Sequence, residues 1–127
     1  MGRFPLCHLL LLRDANYPWF VLVPDRDAIS EIYQLSDEDQ QQLLRESTML
    51  SKALVAAFAP DKLNIAALGN VVSQLHVHHV VRYKTDPAWP APVWGKVSAK
   101  AYGDIELNAV IAKLKQSLTV KEFEYLI

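Results

Sequence analysis

"QLHVHHVVR", residues 74–82, carries three of the chain's four histidines within four positions. Val77, Val80 and Val81 are β-branched, which favours a strand. Successive side chains on a strand point to opposite faces, so Gln74, His76 and His78 share one face while Leu75, Val77 and His79 share the other. One polar face and one mostly apolar face fit a sheet packed on one side.

Upstream of it, "KLNIAAL" (62–68) reads as a strand, and Gly69-Asn70 as a turn or bulge. Before that, Ser36 followed by Asp37, Glu38 and Asp39 is an N-cap with acids in the first turn, where the helix dipole favours them. The helix should run to about Ala59 and stop before Pro60, with Leu43, Leu50, Leu54, Ala57 and Phe58 as its core stripe. "LCHLLLL" (6–12) and "WFVLVP" (19–24) read as two buried strands of a hairpin with a loop of about five residues, and "AISEIYQL" (28–35) as a short helix. Downstream, the Pro-rich "KTDPAWPAPVWG" (84–95) is an irregular loop, and a second helix spans Asp104 to about Leu118. The tail "TVKEFEYLI" matches no element clearly. This order predicts an α+β fold: one domain over residues 1–127, with an antiparallel sheet of about five strands, one long helix and one or two shorter ones.

Composition narrows the classes of function. Half of the residues are hydrophobic (51%), enough for a core without staples, and the net charge of −1 makes no general case for nucleic acid or an anionic membrane. The single cysteine, Cys7, sits among apolar residues and suits a reducing compartment. "PLCHLLLL" resembles a leader only superficially, because it ends at Arg13-Asp14 without a small-residue cleavage site. The expectation is a cytoplasmic protein with no membrane and no nucleic-acid partner.

The histidine strand admits three readings. A half-exposed strand can carry solvated or hydrogen-bonded histidines without further purpose, and His79 and His8 are read that way. A metal could use His76 and His78 as two ligands, but no third ligand is obviously spaced to join them; His8 or Asp86 would have to be brought in by folding. The third reading is nucleophilic catalysis: a neutral imidazole attacks phosphorus, with a neighbouring donor for the leaving oxygen and turn amides for phosphate oxygens. Gly69-Asn70 is placed to supply such a turn.

"LGNVVSQLHVHHVVR" (68–82) resembles the motif of the histidine triad (HIT) family, His-φ-His-φ-His-φ-φ with φ apolar, preceded by Gly-Gln or Gly-Asn and followed by Pro-Arg. "KLNIAALGN", "QLHVHHVVRY", "DPAWPAPVW" and "YPWFVLVP" are similar to further segments of bacterial members, so the likeness covers most of the chain. Two registers compete for the triad: Gln74, His76 and His78, or His76, His78 and Val80. Gly69 lies seven residues before His76 and Arg82 six after it, which matches the family's spacing in the first register. The resemblance implies an antiparallel α+β fold, a homodimer, and hydrolysis or transfer of nucleotides at the α-phosphate through a nucleotidyl-histidine, with no cofactor and no metal. It implies His76 as nucleophile, His78 as donor to the phosphate or leaving group, and the Gln74 carbonyl as partner of the nucleophile's other nitrogen. Asn70, the Gly69 backbone and Asn64 would hold the nucleotide, and Asp14 would reach the ribose.

Three departures stand out. Gln74 replaces the first histidine, Trp19 replaces a histidine of the hairpin, and Val81 replaces the proline before Arg82. A backbone carbonyl survives the first substitution, so a changed rate or substrate is expected rather than lost activity. A nucleotide-binding relative without catalysis is the alternative. Trp89 and Trp94 are read as anchors of their loop, with stacking on a base as the competing role.

Overall fold

The computed structural model describes residues 1–126. Its six strands are β1 (Gly2–Arg3), β2 (Cys7–Leu11), β3 (Trp19–Pro24), β4 (Lys62–Ala66), β5 (Val77–Arg82) and β6 (Glu124–Tyr125). They form one antiparallel sheet in the order β4-β5-β3-β2-β1-β6. Two helices, α1 (Asp37–Phe58) and α2 (Asp104–Ser117), complete the expected α+β architecture.

The alternation read from the sequence decides which side of the sheet each residue serves. Phe20 and Leu22 of β3 and Val77 and Val81 of β5 join Leu50, Leu54 and Phe58 of α1 and Leu114 of α2 in the main core. The opposite face carries a smaller cluster, where Trp19, Val21 and Val80 lie beneath Ala88 and Val93 of the Pro-rich loop. β5 is therefore buried at all six positions, and the histidine strand lies second from the sheet edge.

Helix α1 begins as expected, with the Ser36 hydroxyl accepting the Asp39 amide. It ends at Phe58, with Ala59 in the left-handed region (φ 45°) as the residue before Pro60. Its buried stripe contains Glu46, which sequence patterning omits, while Ala57 is only half-buried. The Glu46 carboxylate accepts the amides of Leu6 (2.9 Å) and Cys7 (2.8 Å) and the Gln42 side-chain amide (2.6 Å), tying the helix to the start of β2.

Several expectations change. The hairpin loop is residues 12–18, longer than expected, and it is tied down by Asp14. The predicted helix over 28–35 shrinks to a 3₁₀ turn at Ile32–Gln34. The predicted first strand is not buried throughout: Leu10 of β2 is 48% exposed and Leu12, just beyond it, 38%, because they lie on the face away from the helices. Two short strands, β1 and β6, bring the sheet to six rather than about five. They approach closely at Gly2, where a Cβ would collide with the Glu124 carbonyl and the Phe123 ring. Among the described residues, no helix is long and apolar enough to cross a membrane.

Candidate active site

His76 stands at the entry to β5 and His78 one pleat further on, with ring centroids 4.9 Å apart in an edge-to-face arrangement. The His76 Nδ1 lies 2.7 Å from the Gln74 carbonyl oxygen. A carbonyl only accepts, so Nδ1 carries the proton and Nε2 presents a lone pair. The Gln74 side chain turns the other way, donating to the carbonyls of Arg26 (3.3 Å) and Pro24 (3.5 Å). Its contribution to the pair is thus main-chain, which a change of side chain leaves intact.

His78 is oriented from the neighbouring strand. Val21 pairs with His78 and Trp19 with Val80, which brings the Trp19 indole alongside; its Nε1 donates to His78 Nδ1 at 2.9 Å. An indole nitrogen only donates, so Nδ1 of His78 is the unprotonated nitrogen and Nε2 bears the hydrogen. Trp94 closes a second side, edge-on at 5.2 Å. Burial, followed by the proximity of His76, lowers the His78 pKa to about 4, so the ring is a neutral hydrogen-bond donor near pH 7. His79, on the helix face, stays structural: its Nδ1 donates to the Val77 carbonyl (3.2 Å), its Nε2 accepts from the Ser47 hydroxyl (2.7 Å), and burial brings its pKa to about 4.

Two clefts meet at this pair. One, of about 240 Å³, has an apolar wall of Leu10, Leu12, Val21, Val23 and Val72. The other, of about 310 Å³, is lined by Gly69, Asn70 and Trp94 among others. Gly69 adopts φ +76°, a backbone conformation that disfavours any side chain, and a Cβ there would meet only the Val72 carbonyl at 3.5 Å. The turn read from Gly69-Asn70 thus sits beside the histidines.

The structure brings Gln74, His76, His78, Gly69 and Asn70 together. Asn64 and Asp14 are among the lining residues of neither cleft. Asn64 accepts from Arg82 at 2.7 Å. Asp14 accepts the Asn16 amide (3.0 Å), the Asn16 side chain (2.9 Å) and the Lys100 amide (3.2 Å), pinning the hairpin loop to a distant segment. Arg82 is buried in a fork with Asp86 (2.7 and 3.1 Å), with Trp89 and Tyr17 against its guanidinium. Burial alone would raise the Asp86 pKa, but the Arg82 bond and the Tyr83 and Ala88 amides outweigh it and lower it. Trp89 is therefore a loop anchor, whereas Trp94 faces the site. Asp86 and His8 are not brought to the histidine pair: His8 sits 3.7 Å from Asp25. Among the described residues no three His, Cys, Asp or Glu side chains gather as a metal site would require.

Sequence reasoning missed the Trp19–His78 bond and the apolar wall. The wall's signal was available: Leu10 and Leu12 share the pleat of Val21 and Val23, on the face of His78. The bond had none, since it depends on strand register.

The HIT domain model matches residues 1–85, which contain every element of this pair's surroundings except the Trp94 loop. The chain belongs to the histidine triad family. Among solved structures, this HIT protein is similar to a histidine triad protein from Marinobacter aquaeolei (50% identity, 92% of this chain and 85% of that one, TM-score 0.87). A histidine triad protein from Bradyrhizobium japonicum is similar at 45% identity (92% and 87% of the two chains, TM-score 0.89). A hypothetical histidine triad nucleotide-binding protein from Sulfolobus tokodaii shares the fold at 18% identity (93% and 84%, TM-score 0.65). Among curated protein sequences none matches this HIT protein.

Proposed function

We propose that this HIT protein hydrolyses or transfers nucleotides at the α-phosphate of a nucleotide conjugate, through a nucleotidyl intermediate on His76 Nε2. The observation that carries this reading is the 2.7 Å contact of His76 Nδ1 with the Gln74 carbonyl, which leaves Nε2 free as a nucleophile beside a neutral donor, His78. The Gly69-Asn70 turn supports a role in holding phosphate oxygens, and the apolar wall supports a seat for the nucleoside. We assign Asn64 and Asp14 to the support of the surrounding loops rather than to substrate contact. A nucleotide and a second copy of the chain are the partners in this reading, in a cytoplasmic setting, with no cofactor. Pairing would use the edge strand β4 and α1, where Ile65, Leu44 and Val55 are exposed.

The test is release of nitrophenol from the 4-nitrophenyl ester of AMP, with intact-mass detection of a nucleotidyl adduct. His76→Ala should lose about a thousandfold or more in turnover. Full activity in His76→Ala sinks the proposal. Binding without catalysis is the alternative, favoured by Gln74 and Trp19 at two family histidine positions; it predicts nucleotide affinity with no adduct.

A further inference from the structure

The hydrogen bond from Trp19 determines what His78 can give. With Nδ1 occupied by an N–H donor, the ring has no place for a second proton unless the indole moves away. Burial opposes the charged form as well. His78 can therefore hydrogen-bond through Nε2–H, but it cannot serve as an imidazolium that transfers a proton. His76 offers no substitute, because its one proton is on Nδ1, held by the Gln74 carbonyl on the side away from the attacking nitrogen. Apart from this pair, every residue lining the two clefts is uncharged: Gln74, Asn70 and Trp94 are the polar ones, and the rest are aliphatic or glycine. Glu31 reaches only a narrow crevice that His76 lines and His78 does not.

From this geometry we infer that the substrate is a nucleotide anhydride, whose leaving group departs as a weakly basic oxyanion, and that Trp19 is the positioning residue that sets this preference. The inference rests on His76 as the nucleophile. The Nε2 lone pair forms the N–P bond while the P–O bond to the leaving group breaks, and that electron pair leaves on oxygen. The Nε2–H of His78 hydrogen-bonds to the oxyanion without giving up its proton. His76 keeps its Nδ1 proton, so the adduct is a nucleotidyl-imidazolium. Water then attacks phosphorus, the P–N electron pair returns to Nε2, and the water's proton passes to solvent. An amine leaving group would have to depart as an amide anion or take its proton from bulk water. The site as built supplies none.

The experiment compares kcat/KM for ADP and acetyl adenylate with that for adenosine 5′-phosphoramidate, and adds a series of substituted phenyl esters of AMP, all with His76 adduct detection. At least one anhydride should exceed the phosphoramidate by about a hundredfold or more, the range a proton donor ordinarily contributes. The ester series should fall steeply as the phenol becomes more basic. ADP against acetyl adenylate distinguishes a phosphate from a carboxylate leaving group; preference for either supports the inference. A phosphoramidate as fast as the anhydrides, or a flat ester series, with the adduct present on His76, overturns it while leaving the nucleophile intact. No adduct and no turnover with any of these compounds overturns the reading of His76 itself. Trp19→Phe, checked for folding by circular dichroism, vacates Nδ1 and should raise phosphoramidate turnover relative to the nitrophenyl ester by roughly tenfold or more. An unchanged ratio in a folded variant removes Trp19 from the account. The wild-type ester series stands whether or not that variant folds.

Discussion

Lowering the pH from 7 to 4 should strip this protein of much of its stability, and two buried imidazoles are the reason. His78 is 7% exposed and His79 fully enclosed, and burial lowers the pKa of each from 6.5 to about 4. In the unfolded chain both rings return to the ordinary value and take up protons below pH 6.5. Between 6.5 and 4 the unfolded state thus binds more protons than the native one, and stability falls as the pH falls. It is fully present above the unfolded value and is lost as pH drops towards the folded one. The shift corresponds to ~3 kcal/mol per ring, so the pair accounts for on the order of 5 kcal/mol against a typical total of about 5–15. Asp86 does not blur this window: its pKa lies below the ordinary 3.8, so its contribution persists until lower pH. Urea unfolding followed by tryptophan fluorescence at pH 7, 6, 5 and 4 measures the slope, and His79→Gln should roughly halve it. Stability that stays level from pH 7 to 4.5, or increases towards acid, would refute the reasoning.

Glu46→Ala should destabilise the fold by about 4 kcal/mol, because it orphans the buried amides of Leu6 and Cys7; the shift of the urea midpoint at pH 7 checks it, and a loss below about 1 kcal/mol would show those amides finding other partners. Leu44→Glu should convert the proposed dimer to monomer in light scattering while the circular dichroism spectrum stays that of the folded protein, since Leu44 is 69% exposed and buries little within one chain. A wild type that already scatters as a monomer removes the dimer from the reading.

The parts of this molecule that were legible in the sequence are those set by local rules. The Ser36 cap, the stop before Pro60, the strand period from Val77 to Arg82 and the opening of the second helix at Asp104 each depend on neighbours within a few residues, whereas the strand starts three residues after Gln74 rather than including it. β1 and β6 were not legible, because two-residue strands carry no periodicity and exist only through long-range pairing, of β1 with β2 and of Gly2 and Arg3 with Tyr125 and Glu124. Glu46 escaped for a similar reason: a carboxylate in a helix stripe looks like a solvated position until its amide partners, 39 and 40 residues away, are known.

The same division runs through the site. Both rings of the pair hold their protons through neighbours, but the two neighbours differ in kind. His76 is oriented by a carbonyl two residues earlier in the chain, so Gln74 in place of the family's histidine leaves its tautomer untouched. His78 is oriented by a side chain 59 residues away, so Trp19 in place of histidine changes what the second ring can do. A histidine partner could donate, accept or titrate, whereas an indole only donates. Of the two departures at histidine positions of the family motif, the one nearer in sequence to His76, the proposed nucleophile, is therefore the quieter. The distant one bears on the proposed chemistry, because it turns a potential acid into a fixed hydrogen-bond donor, which can steady a departing oxyanion but cannot protonate it.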